Sequence, residues 1–182
     1  MPALSGRTST AASDRAPTRP VLVPMSEAEY LVFLAAAVPD YAADKVASGE
    51  WTTEQSLDLA KQSFDSLVPE GLRTEGHHFF TIRDDDQAPV GVLWFAEKQR
   101  GGSDVAYVFN VGIEPAHRRR GHASRAFFAL EDELRKLGLS GVALHVFGHN
   151  PAAQALYAKL GYRPTNINMF KAIQPDSARP EP

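Results

Sequence analysis

The run Val108-Phe-Asn-Val-Gly-Ile-Glu-Pro-Ala-His-Arg-Arg-Arg-Gly-His-Ala123 constrains the fold more than any other part of this chain. An apolar strand breaks at Pro115 into an Arg/Gly-rich turn, and the turn opens a helix. Free N–H groups at a helix start, together with the helix macrodipole, favour an anion, and Gly121 and Ala123 are small enough to let a phosphate approach the backbone. The layout suits a pyrophosphate. A Walker loop is excluded, because the chain has no Gly-Lys-Ser/Thr. Taken alone, Arg118-x-x-Gly121-x-Ala123 also reads as a surface arginine cluster at a helix start, one that contacts nucleic acid.

The flanking sequence supplies alternating strand and helix signals. Pro20 to Met25 can form a first strand. Ser26 with Glu29 is a capping-box pair ahead of Tyr30, Phe33, Leu34 and Ala37 at helical spacing, and Thr52 with Gln55 repeats the signal ahead of Leu57, Ala60, Phe64 and Leu67. Pro69-Glu-Gly71 stops that second helix. His77 to Arg83 and Val90 to Glu97 read as a hairpin about the polar turn Asp84 to Pro89, and Val105 to Ile113 as the fourth strand. After the arginine turn, Phe127, Leu130, Leu134 and Leu137 share a helix face that ends at Gly138. Val142 to Phe147 is a fifth strand, reached by a parallel crossover. Asn150-Pro151 is an N-cap followed by proline at the first helical position, and Gly161 closes the last helix before strands near Tyr162 and Asn168 to Ala172.

With 182 residues, 43% of them hydrophobic, the chain is sized for one core. The domain is expected over 20–173, between disordered tails at 1–19 and 174–182. The first tail also reads as a transit peptide, having several Arg and only Asp14 as an acid, but it shows no amphipathic period. Nineteen basic against 22 acidic residues, a formal net charge of −3, argue against broad nucleic-acid or membrane binding. No apolar run approaches the roughly 20 residues of a spanning helix. The absence of cysteine removes disulfides, thiolate metal sites and an acyl-cysteine intermediate, and fits a cytoplasmic protein. The six histidines lack zinc-ligand spacing, so no metal is expected.

The arginine turn and the later run Asn150…Ala153…Leu156-Tyr157…Leu160-Gly161-Tyr162 occur together and in order. In these two motifs, over roughly Tyr107 to Lys171, the chain resembles the GNAT superfamily of acyl-CoA-dependent N-acyltransferases. The resemblance implies an α/β (α+β) fold: a central, mostly antiparallel sheet of about six to seven strands with a splayed parallel pair, the fourth and fifth strands, and about four helices. It also implies acetyl-CoA as acyl donor and an amine acceptor. Backbone groups of Val111, Gly112 and Ile113 would align the pantetheine arm. The segment Arg118, Arg119, Arg120, Gly121, His122, Ala123 and Ser124 would hold the pyrophosphate.

Acyl transfer to an amine needs a cradle, a route for the amine proton and a proton for the leaving sulfur. The resemblance implies Tyr157 as the proton donor, since a phenol of reference pKa ~10 is protonated at neutral pH. On residues alone Tyr157 reads first as a packed helix aromatic, and the family pattern turns the reading toward catalysis. Asn150 caps a helix whether or not a cofactor is present, and in resembling enzymes it also contacts CoA. Tyr107 stands where histone-type members carry a Glu on the fourth strand, and it cannot readily act as a base. His145 stands where related N-terminal acetyltransferases carry a Glu, and its reference pKa of ~6.5 suits proton acceptance. Leu144 and Val146 should face one side of the sheet and His145 the other, into the cleft or into helix packing. Glu97 is a second candidate base, acting through water, while His149 and His122 read as loop and surface residues. Tyr30, Tyr41, Trp51 and several acids would border the acceptor.

Three functions compete: an N-acetyltransferase working by direct attack in a ternary complex, a catalytically silent acyl-CoA-binding module, and a nucleic-acid or protein-interaction domain using His117-Arg-Arg-Arg120. The acidic balance argues against the third, and Tyr157 against the second. Monomer and homodimer are both compatible with the sequence.

Overall fold

The computed structural model describes residues 21–173. The tails expected at 1–19 and 174–182 lie outside the described residues. One five-stranded sheet is formed by β1 (Leu22–Pro24), β2 (His77–Arg83), β3 (Pro89–Arg100), β4 (Ser103–Ile113) and β5 (Val142–Leu144), in that spatial order. The first four strands run antiparallel to their neighbours, while β4 and β5 are parallel. Four α-helices complete the fold: α1 (Glu27–Ala47), α2 (Thr53–Leu67), α3 (His122–Leu137) and α4 (Pro151–Lys159).

The helix boundaries follow local chemistry. The Ser26 hydroxyl accepts from the Glu29 N–H, while Glu29 accepts from the Ser26 N–H at 2.9 Å, which completes a capping box. Thr52 is the N-cap of α2 but its side chain makes no capping bond, so the expected second capping box is absent. Gly138 closes α3 in the left-handed conformation at φ 73. Asn150 caps α4 by accepting from the Ala153 N–H at 3.1 Å, with Pro151 at the first helical position. Leu137, placed on the core face by its spacing, is instead 44% exposed, as the last residue of α3.

Two cores sandwich the sheet. On one face α3 and α4 cover Ile82, Leu93, Phe95, Ala106 and Val108 with Phe127, Leu130 and Tyr157; on the other α1 and α2 cover Phe79 and Trp94 with Tyr30, Phe33 and Phe64. Each large apolar side chain so buried contributes about 1.5–3 kcal/mol. The two expected C-terminal strands are absent: 163–173 has no regular structure, so the sheet has five strands rather than six or seven. The fifth strand is also shorter than expected, ending at Leu144 instead of Phe147.

The β3–β4 register breaks between Trp94↔Asn110 and Phe95↔Val108, leaving Phe109 as an extra, bulged residue. The bulge reverses side-chain parity. Val108 and Val111 therefore both face α3, while Tyr107 and Phe109 both point toward α1 and α2. Close strand approach here depends on Gly91, where a Cβ would lie 2.2 Å from the Gly112 carbonyl oxygen.

Candidate functional site

The parallel β4–β5 ladder consists of three residue pairs, Ala106↔Val142 through Val108↔Leu144, and it stops at the bulge. Among the described residues, Asn110 to Ile113 find strand partners on β3 alone, and the bulged Phe109 finds none. Their outer edge faces the opening where β5 diverges. That edge carries polar N–H and C=O groups with no ladder to satisfy them. With the ladder ended, the edge of β4 beyond the bulge lies open between two parallel strands, the kind of place where open α/β sheets take ligands.

The edge leads directly into the arginine turn. Arg118 Nε donates to the Ile113 carbonyl at 2.9 Å, tying the turn to the strand end. Arg119 is left-handed at φ 63, a conformation that strains a non-glycine residue, and Gly121 follows at φ 84. Gly121 is the N-cap of α3 and offers no side chain to its orphan N–H groups, while the space its Cβ would occupy holds no atom within 4 Å. The first turn of α3 thus presents bare N–H groups and the positive end of its dipole to open space. Arg118, Arg119 and Arg120 are exposed beside it, whereas Arg125 is engaged by Asp85. His122 lies edge-on to His117, with ring centroids 6.2 Å apart. Ala123 and Ser124 occupy the same first turn.

Tyr157 enters from α4. Its ring packs edge-on against Phe127 of α3 at 5.7 Å, and the residue is 9% exposed. Burial pushes the phenol up from its ordinary pKa, so it holds its proton. The hydroxyl makes no hydrogen bond, and no buried side-chain oxygen among the described residues lacks a partner. The hydroxyl therefore reaches solvent although the ring is sealed in the core.

The two expected bases are on opposite faces of the sheet. Glu97 stands opposite Ala106 on the α3 side and is held by His78 Nε2 at 2.8 Å. That partner belongs to the neighbouring strand, which the sequence spacing did not reveal. Leu144 and Val146 pack into the α3-side core, so His145 between them turns toward α1 and α2. His145 is exposed, edge-on to Phe147 at 4.9 Å, and close enough to Glu50 to help lower that carboxyl. The larger cause of the Glu50 shift is its hydrogen bond from Lys45.

On this same side, Lys45 lies 5.7 Å from the ring centres of both Tyr41 and Trp51 and pairs with Glu50 at 2.5 Å. Tyr107 projects toward this group, its phenol raised by burial. His149, read from sequence as a loop residue, reaches Asp44 at 3.2 Å and ties the loop before α4 to α1. His77 was not singled out by the sequence. It is half-buried between Trp94 and Phe109, and its Nδ1 accepts from the Trp94 indole at 3.1 Å, which leaves the ring proton on Nε2.

Known proteins share this arrangement. The model of the Acetyltransferase (GNAT) family matches residues 40–162. YycN of Bacillus subtilis, an uncharacterized N-acetyltransferase, is 33% identical over 153 residues, covering 84% of this chain and 98% of its own length. The [Ribosomal protein bS18]-alanine N-acetyltransferase of Haemophilus ducreyi is 33% identical over 126 residues, covering 69% of this chain and 82% of that protein. The crystal structure of YycN superposes with a TM-score of 0.81 at 32% identity, over 85% of this chain and 98% of YycN. With a divergent β4–β5 pair, an open helix start after it and relatives that align nearly end to end, this chain belongs to the GNAT family of acetyltransferases.

Proposed function

We propose that this protein transfers the acetyl group of acetyl-CoA to a primary amine by direct attack within a ternary complex. The observation that carries the proposal is the continuous polar edge from Phe109 to Ile113, unpaired by β5, that runs into the uncapped start of α3. A linear amide-bearing arm with a diphosphate at its end fits such an edge and such a helix start. Val111, Gly112 and Ile113 would take the arm. The backbone from Arg118 to Ser124 would take the diphosphate, helped by the exposed guanidinium groups, and Asn150 would contact the same ligand beside its capping role.

The bound thioester supplies an activated acetyl carbonyl. His145, with the Glu50 carboxylate nearby, accepts the proton that an ammonium acceptor must lose. The acceptor nitrogen then forms the C–N bond as the C–S bond breaks. Tyr157 donates its proton to the departing sulfur and is reprotonated by the proton released from the new amide nitrogen. Glu97, occupied by His78 on the other face, is the less supported base. The acceptor would enter on the α1–α2 side, past Tyr41, Trp51 and Tyr107, with Asp44 and Glu50 suiting a cationic amine.

A thiol-release assay with acetyl-CoA and a broad panel of amines, peptide N-termini included, tests this reading. CoA release is expected only with an acceptor present. Tight acetyl-CoA binding without acceptor-dependent release would instead support a silent binding module. Salt-sensitive oligonucleotide binding without any CoA effect would support an interaction domain.

A further inference from the structure

Two hydrogen-bond donors stand together on the α1–α2 side of the sheet, His77 and Lys98, and neither has an acid partner among the described residues. Their setting follows from the strand register. His77 of β2 pairs with Ala96 of β3, Ala96 with Tyr107 of β4, and Tyr107 with Ala143 of β5, so these residues cross the sheet at one level. Lys98 and His145 lie two residues beyond Ala96 and Ala143 and share their parity. The bulged Phe109 links the group. Its ring centre is 5.8 Å from that of His77, 4.8 Å from that of Tyr107 and 5.9 Å from Lys98 Nζ.

The His77 proton is fixed by the core. The Trp94 indole donates to Nδ1, so Nε2 carries the hydrogen, and that N–H donates to nothing among the described residues. Burial, and after it the Lys98 charge, keep the ring neutral. The carboxylate nearest Lys98 in sequence, Glu97, points to the opposite face and is held there by His78. A cation and an N–H thus flank one aromatic ring with no anion to complement them. We propose that Lys98 and His77 bind a carboxylate carried by the acceptor, and that the acceptor is an ω-amino acid. The proposal rests on the acyl-transfer reading of the same cleft and narrows it. The amine would lie toward His145, beyond β5, and the carboxylate toward β3. Two strand spacings separate them, roughly 10 Å, too far for an α-amino acid to touch both and suited to a chain of several methylenes. Phe109 and Tyr107 offer ring surface to those methylenes.

Acetyl-CoA-dependent thiol release with ε-aminocaproate, hexylamine, hexamethylenediamine and glycine tests the assignment. In the wild type kcat/KM is expected to be about tenfold higher for ε-aminocaproate than for hexylamine, the scale of a hydrogen bond to a charged group, with glycine below both. Lys98→Met is expected to bring that ratio to about one. Lys98→Glu is expected to invert it and to favour hexamethylenediamine, an outcome that a packing role for Lys98 would not produce. Lys98 is exposed, so both variants should keep the wild-type melting temperature. Calorimetric titration of ε-aminocaproate into the protein with CoA present reads the same contact without turnover, and Lys98→Glu should abolish the heat. Binding that depends on Lys98, without CoA release from any amine, would sink the transferase reading and keep the carboxylate site. Hexylamine turned over as readily as ε-aminocaproate, or a ratio unmoved by Lys98→Glu, would overturn the site and keep the transferase. Neither turnover nor binding would overturn both.

Discussion

Tyr157 and His145 differ in how deeply the fold commits them. Tyr157 packs edge-on against Phe127 inside the core, so Tyr157→Phe keeps the ring and removes only the donor. Turnover is expected to fall about 100-fold, the usual scale of a lost general acid, while calorimetric affinity for acetyl-CoA stays within about twofold. Full activity would remove Tyr157 from the chemistry. His145 is exposed, so His145→Ala should leave the melting temperature unchanged and impose a rate deficit that shrinks as pH rises and the amine loses its proton unaided. A flat deficit across pH would argue against a base. The facing of His145 was legible from strand alternation alone, since Leu144 and Val146 bracket it. The sealed ring and open hydroxyl of Tyr157 were not, because they depend on how α4 meets α3. His77 escaped the sequence for the same reason. Its folded pKa is lowered from 6.5, chiefly by burial, so the stability it lends is present above 6.5 and lost as pH falls through the lowered value.

Two glycines, Gly91 on β3 opposite the end of β4 and Gly121 at the start of α3, separate conformation from contact. At Gly121 nothing lies within 4 Å of a prospective Cβ, but φ is 84; Gly91 carries no left-handed strain, yet its Cβ would press on the Gly112 oxygen. Gly121→Val is therefore expected to cost about 1–2 kcal/mol through the backbone alone while weakening acetyl-CoA binding at least tenfold, because the new side chain fills the space before α3. Unchanged affinity in a calorimetric titration would contradict the cradle. Gly91→Ala should act first on stability, by about 1–3 kcal/mol in denaturant unfolding, because β3 must move away from β4. The sequence revealed the turn at Gly121 through its Arg/Gly composition, and the caps at Ser26 and Asn150 through spacing. It did not reveal the bulge at Phe109. That feature is decided by which β3 residue faces which β4 residue, and its one trace is the three-residue interval between Val108 and Val111 on a common face.

Across the whole molecule the order of elements was readable because each strand and helix carries its own period and punctuation. The missing C-terminal strands show where that reading stops: 163–173 has apolar residues suited to a strand but no strand partner among the described residues, and pairing is not a local property. Ionisation offers a second test of how both cores are assembled. Tyr30 and Tyr107 lie on the α1–α2 side, and Tyr157 and Tyr162 on the α3–α4 side; burial raises all four phenols. A raised folded pKa means that the unfolded chain releases its protons first, near pH ~10. Stability is thus fully present below about pH 10 and falls as pH rises from there through the folded values, with four groups contributing to the slope. Thermal unfolding followed from pH 8 to 11.5 should show a plateau and then a decline. In Tyr157→Phe that decline should be shallower, since one of the four protons no longer differs between the states. A melting temperature that stayed constant to pH 11.5 would mean that these rings are not packed as the two cores require.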